Sequence, residues 1–161
     1  MADFEVAKKM FYSCYGSYQS IDREYGNLYY AYHVPKSLET EWLDDIQNEL
    51  REKISNSSGN EQFLHVVHLC LTLNKASCLA LFINLLDTEI DSFSRLLYCE
   101  QIKDLIPINS DDDQKICSIL NVQKNKLLTN VITIDNSYLS SRYLRNYDFS
   151  DSNIIERISK L

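Results

Sequence analysis

Apolar positions along the chain recur every three to four residues far more often than every second one, so the sequence reads as a succession of helices. Phe4, Ala7 and Phe11 open the series as a short amphipathic helix. The clearest element comes next but one. Leu38, Trp42, Ile46, Leu50 and Ile54 form a single stripe, widened by Leu43, and Ser37 stands where an N-cap is needed. Glu39 and Glu41 in its first turn and Arg51 and Lys53 in its last complement the helix dipole, while Glu49 and Lys53 make a favourable i,i+4 pair. Asn56-Ser57-Ser58-Gly59-Asn60 then has turn chemistry. Residues 61–73 and 75–86 are apolar on nearly every face, which predicts two helices at the centre of the core.

Asp91 or Ser92 is placed to cap a helix running through Phe93, Leu96, Leu97, Glu100 and Leu105, with Pro107 as its stop. Ser110 followed by Asp111, Asp112 and Asp113 marks another helix start, because carboxylates favour the unsatisfied amides there, and Ile116, Ile119 and Leu120 follow on its face. A separate helix is expected from about residue 122 to 132 on Leu127, Leu128 and Val131, with the stretch 131–134 able to fray into extended chain. Two short helices, 137–145 and 151–160, close the chain. Residues 12–33 keep neither period, and are read as an ordered loop with a helical turn around 27–32. Short turns between successive helices make antiparallel neighbours the default. The expected architecture is one all-α domain over 1–161, an antiparallel helical bundle or a short HEAT-like stack of helical hairpins.

Composition agrees with that reading. Only 3 glycines and 2 prolines occur, too few for the frequent tight turns of an all-β domain. A chain of 161 residues buries enough surface to fold without a disulfide or metal staple. The 5 cysteines include no CxxC pair and mostly sit among apolar neighbours, which points to packing thiols in a reducing compartment. No uninterrupted apolar run reaches the ~20 residues of a membrane span, and the N-terminus lacks the apolar core of a signal peptide. A cytoplasmic protein is expected, with no membrane partner.

Charge changes the picture more than its total of −7 suggests. Residues 1–86 carry 7 basic and 11 acidic side chains, residues 87–113 carry 2 and 8, and residues 115–161 carry 7 and 4. This balance argues against direct binding of nucleic-acid backbones, which need clustered cations, and favours a cationic partner.

Candidate chemistry is sparse. His65 and His68 share one helix at a spacing that suits a metal, but that helix is nearly all apolar and no HExxH completes it, so core-edge histidines bonded to backbone or water are the better reading. Cys14 with His33 could pair as thiol and base, though nothing local marks them. Asp22-Arg23-Glu24, together with Glu39 or Glu41, could offer an acid and a base, against the plainer reading of surface salt bridging. None of the GxxxxGK[ST], GxGxxG or GxSxG signatures is present. The expectation is therefore a protein without catalytic residues, metal or cofactor. Tyrosine is the richer signal: residues 12–33 hold seven of the eleven. These side chains either pack this stretch onto the helices, the plainer reading for any single one, or face outward as interface anchors, since tyrosine is over-represented at the buried centres of interfaces.

The segment FYSCYGSYQSIDREYGNLYYAYHVPKSLETEWLDD, residues 11–45, resembles small Bacillus-type immunity proteins encoded beside polymorphic LXG toxins. The likeness lies in an aromatic helix end, Gly16-Ser17, Asp22-Arg23-Glu24, the tyrosine-rich stretch, and Val34-Pro35-Lys36 leading into a Glu-rich helix with Trp42. It covers the first third of the chain. The resemblance implies a cytoplasmic antidote that binds its sibling toxin, a basic nuclease in many such systems, and blocks its active site or exit surface. Under that reading Asp87, Glu89, Asp91, Asp111, Asp112 and Asp113 attract the toxin, Tyr18, Tyr25, Tyr29 and Tyr30 anchor it, and Asp22 and Glu24 lie beside the anchors. The alternative is a helical binding or regulatory module of another kind.

Overall fold

A computed structural model describes residues 4–106, 113–130 and 132–161, with the backbone alone at Asp113. Among the described residues every regular element is helical, as the periodicity predicts. The elements are α1 (Glu5–Ser13), α2 (Tyr18–Glu24), α3 (Asn27–Tyr30), α4 (Lys36–Asn56), α5 (Gly59–Cys70), α6 (Lys75–Leu86), α7 (Ser92–Leu105), α8 (Asp113–Thr129), α9 (Asn136–Leu139) and α10 (Asp151–Ser159), with a 3-10 turn at Arg142–Leu144. No helix among them is long and apolar enough to cross a membrane. The contacts gather into two compact units, the first Met1–Ser57 with Gln62–Asn74, the second Ser58–Glu61 with Lys75–Leu161.

In the first unit α1 packs on α4 through Phe11, whose ring centre lies 5.7 Å from that of Trp42 and 6.1 Å from that of Tyr29. Ile46, Leu50 and Ile54 of α4 and Phe63, Val66 and Leu69 of α5 complete this core. The buried stripe of α4 begins at Glu39 rather than at Leu38, which is only half-buried, and the helix starts at Lys36 with Pro35 as its cap, so Ser37 lies inside the first turn. The expected cap at Ser37 is thus replaced by proline's preset φ of −59°, which suits a helix entrance.

Residues 12–33 are not a loop. Gly16 ends α1 with φ +70°, and its amide donates to the Phe11 carbonyl at 2.9 Å. A Cβ there would stand 2.7 Å from Leu43 Cδ1, so glycine is required twice over, by backbone angle and by space. Ser17 then accepts from the Ser20 amide and starts α2, and α3 follows within three residues.

In the second unit α7 lies between α6 and α8, and α10 rests on α8. Phe93, Ser94, Leu96, Leu97, Tyr98, Cys99 and Ile102 make α7 the centre of this core. In this unit the central place expected of α6 passes to α7, while Leu71 and Ala80 of the apolar runs stay exposed. Asp91 caps α7 as expected, accepting from the Ser94 amide at 2.9 Å. The break expected near residue 121 does not occur: α8 continues through it, because Gln123 is buried on the same stripe as Ile116, Leu120 and Leu127. Arg95 Nη1 donates to Gln123 Oε1 at 2.5 Å and to the Leu86 carbonyl at 3.0 Å. The helix expected over 137–145 is two pieces, α9 and the 3-10 turn, and α10 forms as expected. The predicted stop at Pro107 and cap at Ser110 lie outside the described residues.

Candidate docking site

Glu39 enters the core of the first unit because the period of α4 puts it in line with Trp42, Ile46 and Leu50. A carboxylate buried to 8% exposure needs partners, and three arrive from different places in the sequence. Tyr29 Oη donates to Oε1 at 2.7 Å, Tyr18 Oη to Oε2 at 2.6 Å, and Lys36 Nζ to Oε2 at 3.2 Å. Burial by itself raises the carboxyl pKa, but the hydrogen bonds from Tyr18, Tyr29 and Lys36 outweigh it and leave Glu39 below its ordinary value. The Lys36 ammonium also sits over the Tyr18 ring, 4.5 Å from its centre, and bonds the Tyr18 hydroxyl. Tyr18 and Tyr29 are both pushed up, first by burial and then by Glu39.

Beside this hub Tyr30 Oη donates to Asp22 Oδ1 at 2.6 Å, and that bond raises Tyr30 to about 12. Tyr18 and Tyr30 are 38% and 42% exposed, and the hydroxyl of each is tied down, that of Tyr18 by the buried Glu39 and that of Tyr30 by the exposed Asp22. Tyr29, in contrast, is 1% exposed. It cannot touch a docking partner, and its expected part as an anchor is replaced by a structural one, holding Glu39. Tyr25 is half-buried and shares a 2.8 Å hydrogen bond with Ser13. Glu24 pairs with Arg23 at 3.0 Å, both well exposed, as the salt-bridging reading of Asp22-Arg23-Glu24 anticipates.

The flank of α4 away from the core carries Glu41, Asp44, Asp45, Glu49 and Glu52, all exposed, at spacings of three and four. Tyr12 Oη donates to Asp45 Oδ2 at 3.2 Å, and burial together with Asp45 pushes Tyr12 up to about 12. In the sequence Glu41 and Glu49 stand out as helix-dipole and ion-pair residues, and Glu41 as a possible acid or base, whereas Asp44, Asp45 and Glu52 carry no such mark. Their shared side was available from the spacing alone.

No family model matches the chain, and neither a curated protein nor a solved structure does.

The remaining candidates are in the second unit or outside the described residues. Asp87 and Glu89 are exposed between α6 and α7. Asp91 is exposed as a residue, yet its oxygens are taken: Oδ2 accepts from Ser94 Oγ at 2.6 Å and from Tyr138 Oη at 2.9 Å, besides the cap bond. It serves the fold first. Asp111 and Asp112 lie outside the described residues, as does the side chain of Asp113. His68 stacks on Tyr15, ring centres 4.0 Å apart, and burial lowers its pKa. Among the described residues no group of three metal-ligating side chains forms. Cys14 is buried, its thiol pushed up by desolvation, which is opposite to what a nucleophile needs.

Proposed function

We propose that this protein binds rather than catalyses, and that it is an immunity-type antidote that neutralises a basic protein toxin on the acidic, tyrosine-bearing surface of its first unit. The observation that carries the reading is the state of Tyr18 and Tyr30: both rings are partly exposed, and each hydroxyl is fixed to a carboxylate of the same unit, the buried Glu39 for Tyr18 and the exposed Asp22 for Tyr30. Rings immobilised before encounter lose little freedom on docking, so their apolar area converts efficiently into affinity. Asp22, Glu24 and the exposed carboxylates of α4 stand in the same unit and favour cationic partners, with Asp87 and Glu89 adding to the long-range field. The resemblance of residues 11–45 to LXG-linked immunity proteins supplies the class of partner, and a cytoplasmic site of action follows from it.

The test is co-expression with the product of the neighbouring gene. Growth should be restored and the two proteins should co-purify, and Tyr18→Ala with Tyr30→Ala should abolish both while the helical circular dichroism remains. A neighbour whose toxicity is unaffected, or a double variant that protects fully, contradicts the proposal.

A further inference from the structure

We propose that the second unit carries a docking surface of the opposite sign, at the corner formed by α9 and the 3-10 turn, and that it takes an acidic protein segment with apolar residues among its carboxylates. Tyr138, Ser141 and Leu144 point into the core from this corner, so Leu139, Arg142, Tyr143 and Arg145 are left outside. Leu139 is 53% exposed and Tyr143 51%. In a 3-10 turn residues three apart eclipse one another, and Arg145 continues the turn with φ −55° and ψ −25°. Arg142 and Arg145 therefore lie on the same side of the turn.

Like charges at that spacing repel, and a carboxylate set between them would relieve the repulsion. Among the described residues neither Arg142 nor Arg145 has a hydrogen-bond or ion-pair partner, as is true of Arg51 on α4, whereas Arg23, Arg95 and Arg157 are each engaged; Arg142 and Arg145 alone of the unengaged three stand together. A guanidinium fork matches a carboxylate in geometry, and an arginine pair flanking an exposed tyrosine has the composition of an interface hot spot. A protein segment suits this corner better than a polyphosphate or an anionic membrane does. Two cations neutralise few phosphates, and Leu139 and Tyr143 offer apolar contact that a protein segment can use and a phosphate chain cannot.

The probe is a fluorescently labelled peptide repeating Asp-Leu-Glu-Phe, titrated with the full chain and followed by anisotropy. Saturable binding that weakens with salt is expected, and Arg142→Glu with Arg145→Glu should lower the affinity at least roughly tenfold while the circular dichroism spectrum is unchanged. Arg142→Gln with Arg145→Gln keeps size and removes charge, and should lose affinity as well. Arg145→Glu alone turns a repelling pair into an attracting one, so it should raise Tm while weakening binding. The proposal is overturned if the peptide does not bind, if its Asn/Gln counterpart binds equally, if charge reversal leaves affinity intact, or if Arg145→Glu fails to raise Tm. Tighter binding of oligothymidine or of phosphatidylserine vesicles also overturns it.

Discussion

A single carboxylate organises the tyrosine-rich third of the chain. Glu39 receives three hydrogen bonds, two of them from phenols, and removing the acceptor strands Tyr29 Oη in the core. Leaving such a donor unsatisfied costs about 1–3 kcal/mol, so Glu39→Ala should lower the unfolding free energy by that much in a urea titration. The pH dependence follows from the direction of the shift. The folded-state pKa of Glu39 is lowered, so its contribution is fully present above the unfolded carboxylate value of about 4.3 and is lost as pH falls through the folded one. Stability measured against pH should therefore drop through that acid window in the parent and drop less in Glu39→Gln. An equal slope in both would show that Glu39 is not the titrating group.

Every long helix was legible from its apolar stripe, and two lost their start or their continuity where a large polar side chain is buried on that stripe. In α4 the buried line runs Glu39, Trp42, Ile46, Leu50, and in α8 it runs Ile116, Leu120, Gln123, Leu127. Hydrophobic periodicity has no way to count Glu39 or Gln123, so it aligns α4 on Leu38 and divides α8 in two. The missing information is tertiary: Tyr18 and Tyr29 supply the partners of one and Arg95 that of the other. Residues 12–33 were opaque for another reason. Helix α2 buries only Ile21 and α3 only Tyr29, and one buried residue makes no period. The acidic flank of α4 was legible in spacing and went unread, whereas the fixing of Tyr18 and Tyr30 by carboxylates could not be seen without coordinates. The junction of α7 with α9 offers a test at this scale. Asp91 both caps α7 and accepts from Tyr138, so Asp91→Ala should cost about 1–2 kcal/mol. Adding Tyr138→Phe should cost less than the sum of the two single changes, because they share a bond. Strict additivity in thermal unfolding would count against that coupling.

The molecule as a whole is an acidic helical protein whose charge is unevenly spread, with the α4 flank in one unit and the arginine corner in the other. If its work is capture of a basic toxin, its exposed carboxylates should speed encounter more than they slow release, since steering acts before contact. The anchoring tyrosines should do the reverse and govern release. The decisive measurement is stopped-flow association with the neighbouring gene's product, over a range of salt concentrations, for the parent and for Asp44→Lys with Asp45→Lys and Glu52→Lys. The parent should associate fast at low salt and slow steeply as salt rises, while the reversed variant should start roughly tenfold or more slower and respond weakly to salt. Identical rates and identical salt dependence in the two would contradict the proposed electrostatic capture.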